Sequence, residues 1–289
     1  MSDFSTGPFL GGLVVTAGAL LVLVVATWLI ARAIGRFNVI DVAWGVGFVV
    51  VALVSFGLSA GHGDGTRRVL MAVLVTVWGL RLAGYIAWRS HGKGEDPRYA
   101  DMLAGNPHPE RRALGIYLTQ AVAIWFVSLP VQVAMYERRS PGALLWIGTA
   151  VWAVGFFFES VGDWQLSRFR ADPANRGQVM NRGLWRYTRH PNYFGDACAW
   201  WGIYLIAAQQ WVGAITVLSP LLMTWTLTRK TGKPLLEQGM AERRPGYADY
   251  IERTSGFFPL PPKAARRSGP EPASRSGTEP ASRSGPEPV

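Results

Sequence analysis

Long apolar runs with almost no charge recur along this chain, and they leave few folds open to it. Phe9–Ala31, Val42–Gly61 and Ala113–Tyr136 carry no charged residue, and Val69–Trp88 carries only Arg81. Gly142–Phe158 is shorter but equally apolar, and Ala197–Thr228 is too long for one crossing. A bilayer core needs about 20 apolar residues per helix. The longest run contains Gln209-Gln210, so it reads as two helices joined by a tight turn. A soluble helical protein would show a polar stripe at a period of 3.6, and these runs show none. The expectation is an all-α integral membrane protein, a bundle of seven transmembrane helices.

Charge sets the orientation. The net charge of +10 could suggest nucleic acid, but its placement argues for a membrane and against nucleic acid. If the amino end is outside, 24 of the 29 Lys and Arg fall in the inside segments 32–41, 89–112, 161–190 and beyond 228. The outside segments hold four, Arg67, Arg68, Arg138 and Arg139, and Arg81 lies within a span. This bias is the positive-inside rule, and it predicts an outside N-terminus and a cytoplasmic C-terminus. Met1–Pro8 has no basic region and no small-residue cleavage site follows the first run, so that run reads as an anchor and not a removed signal. Cys198, the single cysteine, lies in an apolar run and reads as a small buried hydrophobe.

Residues 1–260 read as one membrane domain. From 261 to 289 the octapeptide Ser268–Arg275 recurs as Ser276–Arg283 and begins again at Ser284. A Pro, Gly and Ser repeat with nothing apolar to bury reads as a disordered tail. Two inside loops, Arg89–Arg112 and Gly162–Arg189, are longer than connection requires. With Arg229–Arg253 they place three polar segments on one side of the membrane.

Ionisable residues within spans are functional candidates by default. Here they are Asp41, Arg81, Glu159, Asp163 and Asp196. Arg81 could instead pair with an acid as structural glue, Asp41 could be an interfacial cap, and Asp163 and Asp196 could tether loops to nearby Arg. The sequence has no Gly-x-Gly-x-x-Gly after a strand, no Walker-type loop, no Gly-x-Ser-x-Gly and no His-Glu-x-x-His. The four His are scattered, so no metal site is expected. What remains is an inside surface of Arg168, Arg170, Arg176, Arg182, Arg186, Arg189 and Arg229 among Tyr and Trp rings. Guanidinium forks suit phosphates, either of a dinucleotide or of anionic lipid headgroups.

Arg189-His-Pro-Asn-Tyr-Phe-Gly-Asp196 resembles the C-terminal signature of the steroid 5α-reductase superfamily, and most closely its bacterial DUF1295 branch. Asp41-Val-Ala-Trp-Gly45, Trp78-Gly-Leu-Arg81, Gly92-Lys-Gly-Glu-Asp96, Val161-Gly-Asp-Trp-Gln165 and Asp172-Pro-Ala-Asn175 carry the same resemblance. So do Ser219–Met223, Pro234-Leu-Leu-Glu237, Arg244-Pro-Gly-Tyr247 and Arg253–Pro259, in order along the chain. The Arg-His-Pro core is shared with isoprenylcysteine and phospholipid methyltransferases.

The resemblance implies a seven-helix bundle with an NADPH cavity open to the cytoplasm. Its cofactor residues fall here on Asp163, Arg170, Asn192, Asp196 and Arg229, with Arg189, His190, Tyr193 and Glu237 beside them. The implied reaction is hydride transfer to a conjugated carbon–carbon double bond in a steroid-like, isoprenoid or other lipid. It needs a donor at the substrate carbonyl. Steroid reductases use a Glu and a Tyr there, and this chain offers Asp41 with Arg81 or Tyr85. Glu159 stands where those enzymes have an amide. The implied partners are a lipid-like small molecule and the bilayer, with no obligate protein partner. A methyltransferase using S-adenosylmethionine and a non-enzymatic lipid-binding protein are the alternative expectations.

Overall fold

The computed structural model describes residues 3–230, 237, 240 and 244–264. From residue 265 onward the repeat tail, and residues 234–236 of the Pro-Leu-Leu-Glu motif, lie outside the described residues. Among those described, the architecture is helical, with two isolated bridges (Phe4–Glu137 and Thr188–Ser255) and no strand.

Helices α1 (Thr6–Ile34), α2 (Val39–Leu58) and α3 (Gly65–Ser90) are joined by short turns. Gly35 closes α1 in the left-handed conformation at φ 69°, and the Asp64 carboxylate caps α3 by accepting from Arg67 N. A longer connection then holds the short α4 (Pro97–Leu103). The run read as one span over 113–136 forms α5 (Pro109–Val127) and α6 (Leu129–Ala134), broken at Ser128 just before Pro130. The long α7 (Ala143–Ala171) and α8 (Pro191–Ala207) follow. The expected division of the last apolar run falls at Ala208–Gln210, after which α9 (Trp211–Ala214), α10 (Leu218–Trp225) and a π-turn (Thr226–Lys230) run on. α11 (Tyr247–Arg253) ends the helical part.

Among the described residues, five helical segments are long and apolar enough to cross a membrane: Thr6–Ile34, Val39–Leu58, Gly65–Ser90, Ala143–Ala171 and Trp211–Arg229. α5 begins with Glu110, Arg111 and Arg112, and α8 has 17 residues. α7 corrects one expectation. The segment from Gly162, read as the start of a loop, stays helical to Ala171, because no helix breaker precedes Asp172-Pro173. Its acids Glu159 and Asp163 share Arg81 on α3 and Glu159 also accepts from Trp78, so helix continues where a loop seemed necessary.

Glycines bring the helices together. A Cβ on Gly155 would lie 2.4 Å from Ala199 N and 2.5 Å from Gly195 O, and one on Gly148 would lie 2.6 Å from Gly202 O. Gly148 and Gly155 on α7, and Gly195 and Gly202 on α8, repeat every seven residues. A small-residue seam lets apolar helices approach where no hydrophobic force separates protein from lipid. Gly45 on α2 meets Gly79 O on α3 in the same way, at 2.5 Å. Between these pairs lies an aromatic knot in which Trp78 and Trp200 are fully buried, their rings 5.3 Å apart and perpendicular.

Candidate functional site

α3 and α7 run side by side in the same direction, linked by three rungs of polar contact. Trp78 Nε1 donates to Glu159 Oε2 at 2.8 Å. Arg81 then forks, pairing with Glu159 through Nη2 and with Asp163 Oδ2 through Nη1 at 2.9 Å. Tyr85 Oη and Ser167 Oγ close the ladder at 3.1 Å. Positions 78, 81 and 85 share one face of α3, and 159, 163 and 167 share one face of α7. Glu159 and Asp163 are 3% and 5% exposed. Burying two carboxylates beside one guanidinium is tolerable only because each finds hydrogen-bond partners.

α8 joins from the other side. Asn192 Nδ2 donates to the free oxygen of Asp163, Oδ1, at 3.1 Å. Proline at the first position of α8 directs Asn192 and Tyr193 into its first turn. One turn on, Asp196 Oδ1 is shielded from solvent and has no hydrogen bond among the described residues. Asp163, Asn192, Asp196 and Arg81 therefore converge.

A second cluster locks the loop before α8. Arg189 is 7% exposed and is spent on structure: Nε bonds Glu237 Oε1 at 2.8 Å, and Nη1 donates to the carbonyls of Ile251 and Thr254. His190 Nε2 lies 2.9 Å from the same Glu237 oxygen, and its ring stacks on Tyr193 at 5.4 Å. His190 Nδ1 is buried, with no hydrogen-bond partner among the described residues. Burial works against the Glu237 carboxylate, but bonds from His190 and Arg189 outweigh it and hold the group down at about 2. Around them the C-terminal segment clamps the loop. Thr188 Oγ1 donates to Phe257 O, and Tyr250 Oη to Trp185 O.

Arg170 and Arg229 are exposed, with no ion pair among the described residues. Asp41 lies apart from the ladder. Its carboxylate accepts from Tyr99 Oη at 2.6 Å and from Arg98 Nη2 at 2.9 Å. Burial, then the Asp41 charge, pushes the Tyr99 phenol well above its usual range, so it donates and stays protonated. Glu95 in the same loop accepts from Asn38 N at 2.9 Å. Of the three residues expected at the substrate, the structure thus aligns Arg81 and Tyr85 on one helix face and assigns Asp41 to holding the α4 loop over the start of α2. Arg98, Tyr99 and Ser167 escaped the sequence reading. The acid-rich Gly92–Asp96 loop so close to Arg98-Tyr99 was the available signal for the first two, and the four-residue step from Asp163 for the third.

A protein of Schizosaccharomyces pombe (strain 972 / ATCC 24843), Uncharacterized protein C594.04c, is 24% identical over 290 residues, covering 89% of this chain and 81% of the relative. No solved structure matches the chain. The family described as "Protein of unknown function (DUF1295)" matches residues 27–254, which takes in every residue of the ladder, the α8 entry and the Arg189–Glu237 cluster. The chain belongs to the DUF1295 family.

Proposed function

We propose that this protein is a seven-span membrane reductase that uses NADPH to saturate a conjugated carbon–carbon double bond in an apolar lipid, with its amino end outside and its cofactor site facing the cytoplasm. One observation carries the reading. Asp163 bonds Arg81 through one oxygen and Asn192 through the other, so two motifs more than 100 residues apart meet at one buried carboxylate.

Helix directions support seven crossings. α3 and α7 are parallel, so the chain between them must return once, and α5 with α6 is the segment that does so. α8 is antiparallel to α7 along the glycine seam and accounts for the sixth. The ends shared by Arg32, Arg89, Arg98, Arg170 and Arg186 then face the cytoplasm, as the charge bias requires.

The residues present fit a phosphorylated dinucleotide. Arg170 and Arg229 are charged and uncommitted, Asn192 offers an amide, and Asp196 Oδ1 is a shielded acceptor without a donor. Arg189 is engaged by Glu237 and by the carbonyls of Ile251 and Thr254, so in this reading it positions His190 through their shared Glu237 and does not contact phosphate. Bound NADPH would supply the hydride. The chain's own part is to orient the substrate carbonyl: the Tyr85 hydroxyl, steadied by Ser167 and one turn from Arg81, is the donor placed to polarise it.

Calorimetric titration of NADPH into the detergent-purified protein tests the reading. Binding should weaken at least about tenfold in Arg170→Ala and in Asn192→Ala. Tighter binding of S-adenosylmethionine than of NADPH would replace the reductase by a methyltransferase. Lipids from cells with and without the protein should differ in a species shifted by two hydrogens.

A further inference from the structure

α7 carries a second feature, on the face turned away from the ladder. Trp146 is 63% exposed and Trp164 is 58% exposed. Eighteen residues separate them, five helical turns, so they project from the same face about 27 Å apart along the axis. That rise is close to the ~30 Å hydrocarbon core of a bilayer. Exposed Ile147, Val154 and Phe157 fill the stripe between them. An apolar stripe bounded by two tryptophans is the pattern of a lipid-facing helix whose rings mark the two interfaces.

Beyond Trp164 the stripe opens into a cleft of about 590 Å³. Arg168 forms one wall with its guanidinium 5.7 Å from the centre of the Trp164 ring, and Arg182 forms the other. Neither arginine has an ion pair among the described residues. The acid in the cleft, Asp172, already accepts from Ala174 N as the cap of a 3-10 turn at 2.9 Å. Gln165 is committed to Leu184 N and Asn175 to Phe169 O. The cleft therefore carries two arginines without an ion pair and one carboxylate already engaged as a cap, a net positive charge beside a greasy stripe along α7.

We infer that the Trp164–Arg168–Arg182 cleft binds an anionic phospholipid, its phosphate between the two arginines and its acyl chains along the α7 stripe. Arginine forks match a phosphate and lose little entropy in doing so. The stacked tryptophan holds Arg168 extended at the interface. This site is separate from the Asp163–Asn192 site and does not depend on a reductase activity.

The test is native mass spectrometry of the detergent-purified full chain, titrated with dioctanoyl phosphatidylglycerol, dioctanoyl phosphatidylcholine or inorganic phosphate. Phosphatidylglycerol should bind, phosphatidylcholine should bind more weakly, and inorganic phosphate should not displace the lipid. Arg168→Gln with Arg182→Gln should weaken phosphatidylglycerol binding about tenfold or more, each single change should cost part of that, and Arg138→Gln with Arg139→Gln at the other end should cost nothing. Both arginines are exposed, and matching unfolding midpoints check that the variants fold. Unchanged phosphatidylglycerol binding in the double variant, equal affinity for the two lipids, or equal loss in the control variant overturns the inference. So does displacement by free phosphate, or a double variant that keeps the lipid and loses NADPH instead.

Discussion

Arg81 on α3 reaches Asp163 on α7, with Nη1 2.9 Å from Oδ2, and the same guanidinium holds Glu159. One cation thus compensates two buried acids between parallel helices. Arg81→Ala would leave both carboxylates without it, which costs about 3–5 kcal/mol when a buried pair is broken from one side. Arg81→Lys keeps the charge but cannot fork between two carboxylates, so its loss should be smaller. Unfolding midpoints in detergent compare the two, and equal stability of Arg81→Ala and the parent would show that the ladder does not bear on the fold.

The α7–α8 seam predicts intolerance of added bulk. Gly155→Val should destabilise by about 1–3 kcal/mol or more, since even its Cβ would meet Ala199 N at 2.4 Å. Gly18→Ala on α1, with nothing within 4 Å of the added atom, should be neutral or slightly stabilising. Thermal unfolding of the two side by side decides.

Stability should fall with rising pH because of Glu137, in the turn before α7. Its side chain is 1% exposed, both oxygens lack a hydrogen bond, and Arg67 stands 3.6 Å away. Burial pushes the group up to about 7, against the pull of Arg67. The folded protein therefore holds this proton more tightly than the unfolded chain. The stabilisation is full below the ordinary carboxylate range and is lost as pH rises through about 7. Midpoints measured from pH 5 to 8 should decline, and Glu137→Gln should flatten the slope.

Glu237 predicts the opposite sign in a different window. Held down at about 2, it stabilises the loop above the ordinary carboxylate range and loses that contribution only as pH falls toward 2. Between pH 5 and 8 it adds no slope. Glu237→Gln should release Arg189 and His190, weakening NADPH binding while leaving the pH 5–8 profile of stability unchanged. A changed profile in that variant would assign the slope to the wrong acid.

Tyr85→Phe separates chemistry from structure. Loss of one hydroxyl bond to Ser167 should cost only about 1 kcal/mol of stability. If the proposed reductase reading holds, NADPH affinity should be unchanged while formation of the reduced lipid, measured by mass spectrometry, should drop about a hundredfold or more.

Much of this was legible in the residues because a bilayer punishes charge. Uncharged runs of span length favoured helices, and five helical segments among the described residues are long and apolar enough to cross a membrane. The ordered motifs also pointed to Asp163 and Asn192, and their side chains bond in the structure. Partner choice was not legible. Arg81 has several acids within reach in the sequence, and only the parallel packing of α3 on α7 selects Glu159 and Asp163. Asp41 and Arg81 read alike as costly charges near spans, yet folding gives Asp41 to Arg98 and Tyr99 as a loop anchor. Arg189 read as one of a cluster of phosphate-facing cations, and folding binds it to Glu237 and to the carbonyls of Ile251 and Thr254. Local hydropathy is a property of each segment, so the sequence alone determined that the chain is helical and carries segments apolar enough to cross a membrane. Which charges remain free to meet a ligand depends on which neighbours have already claimed them, and only the packed tertiary structure decides that.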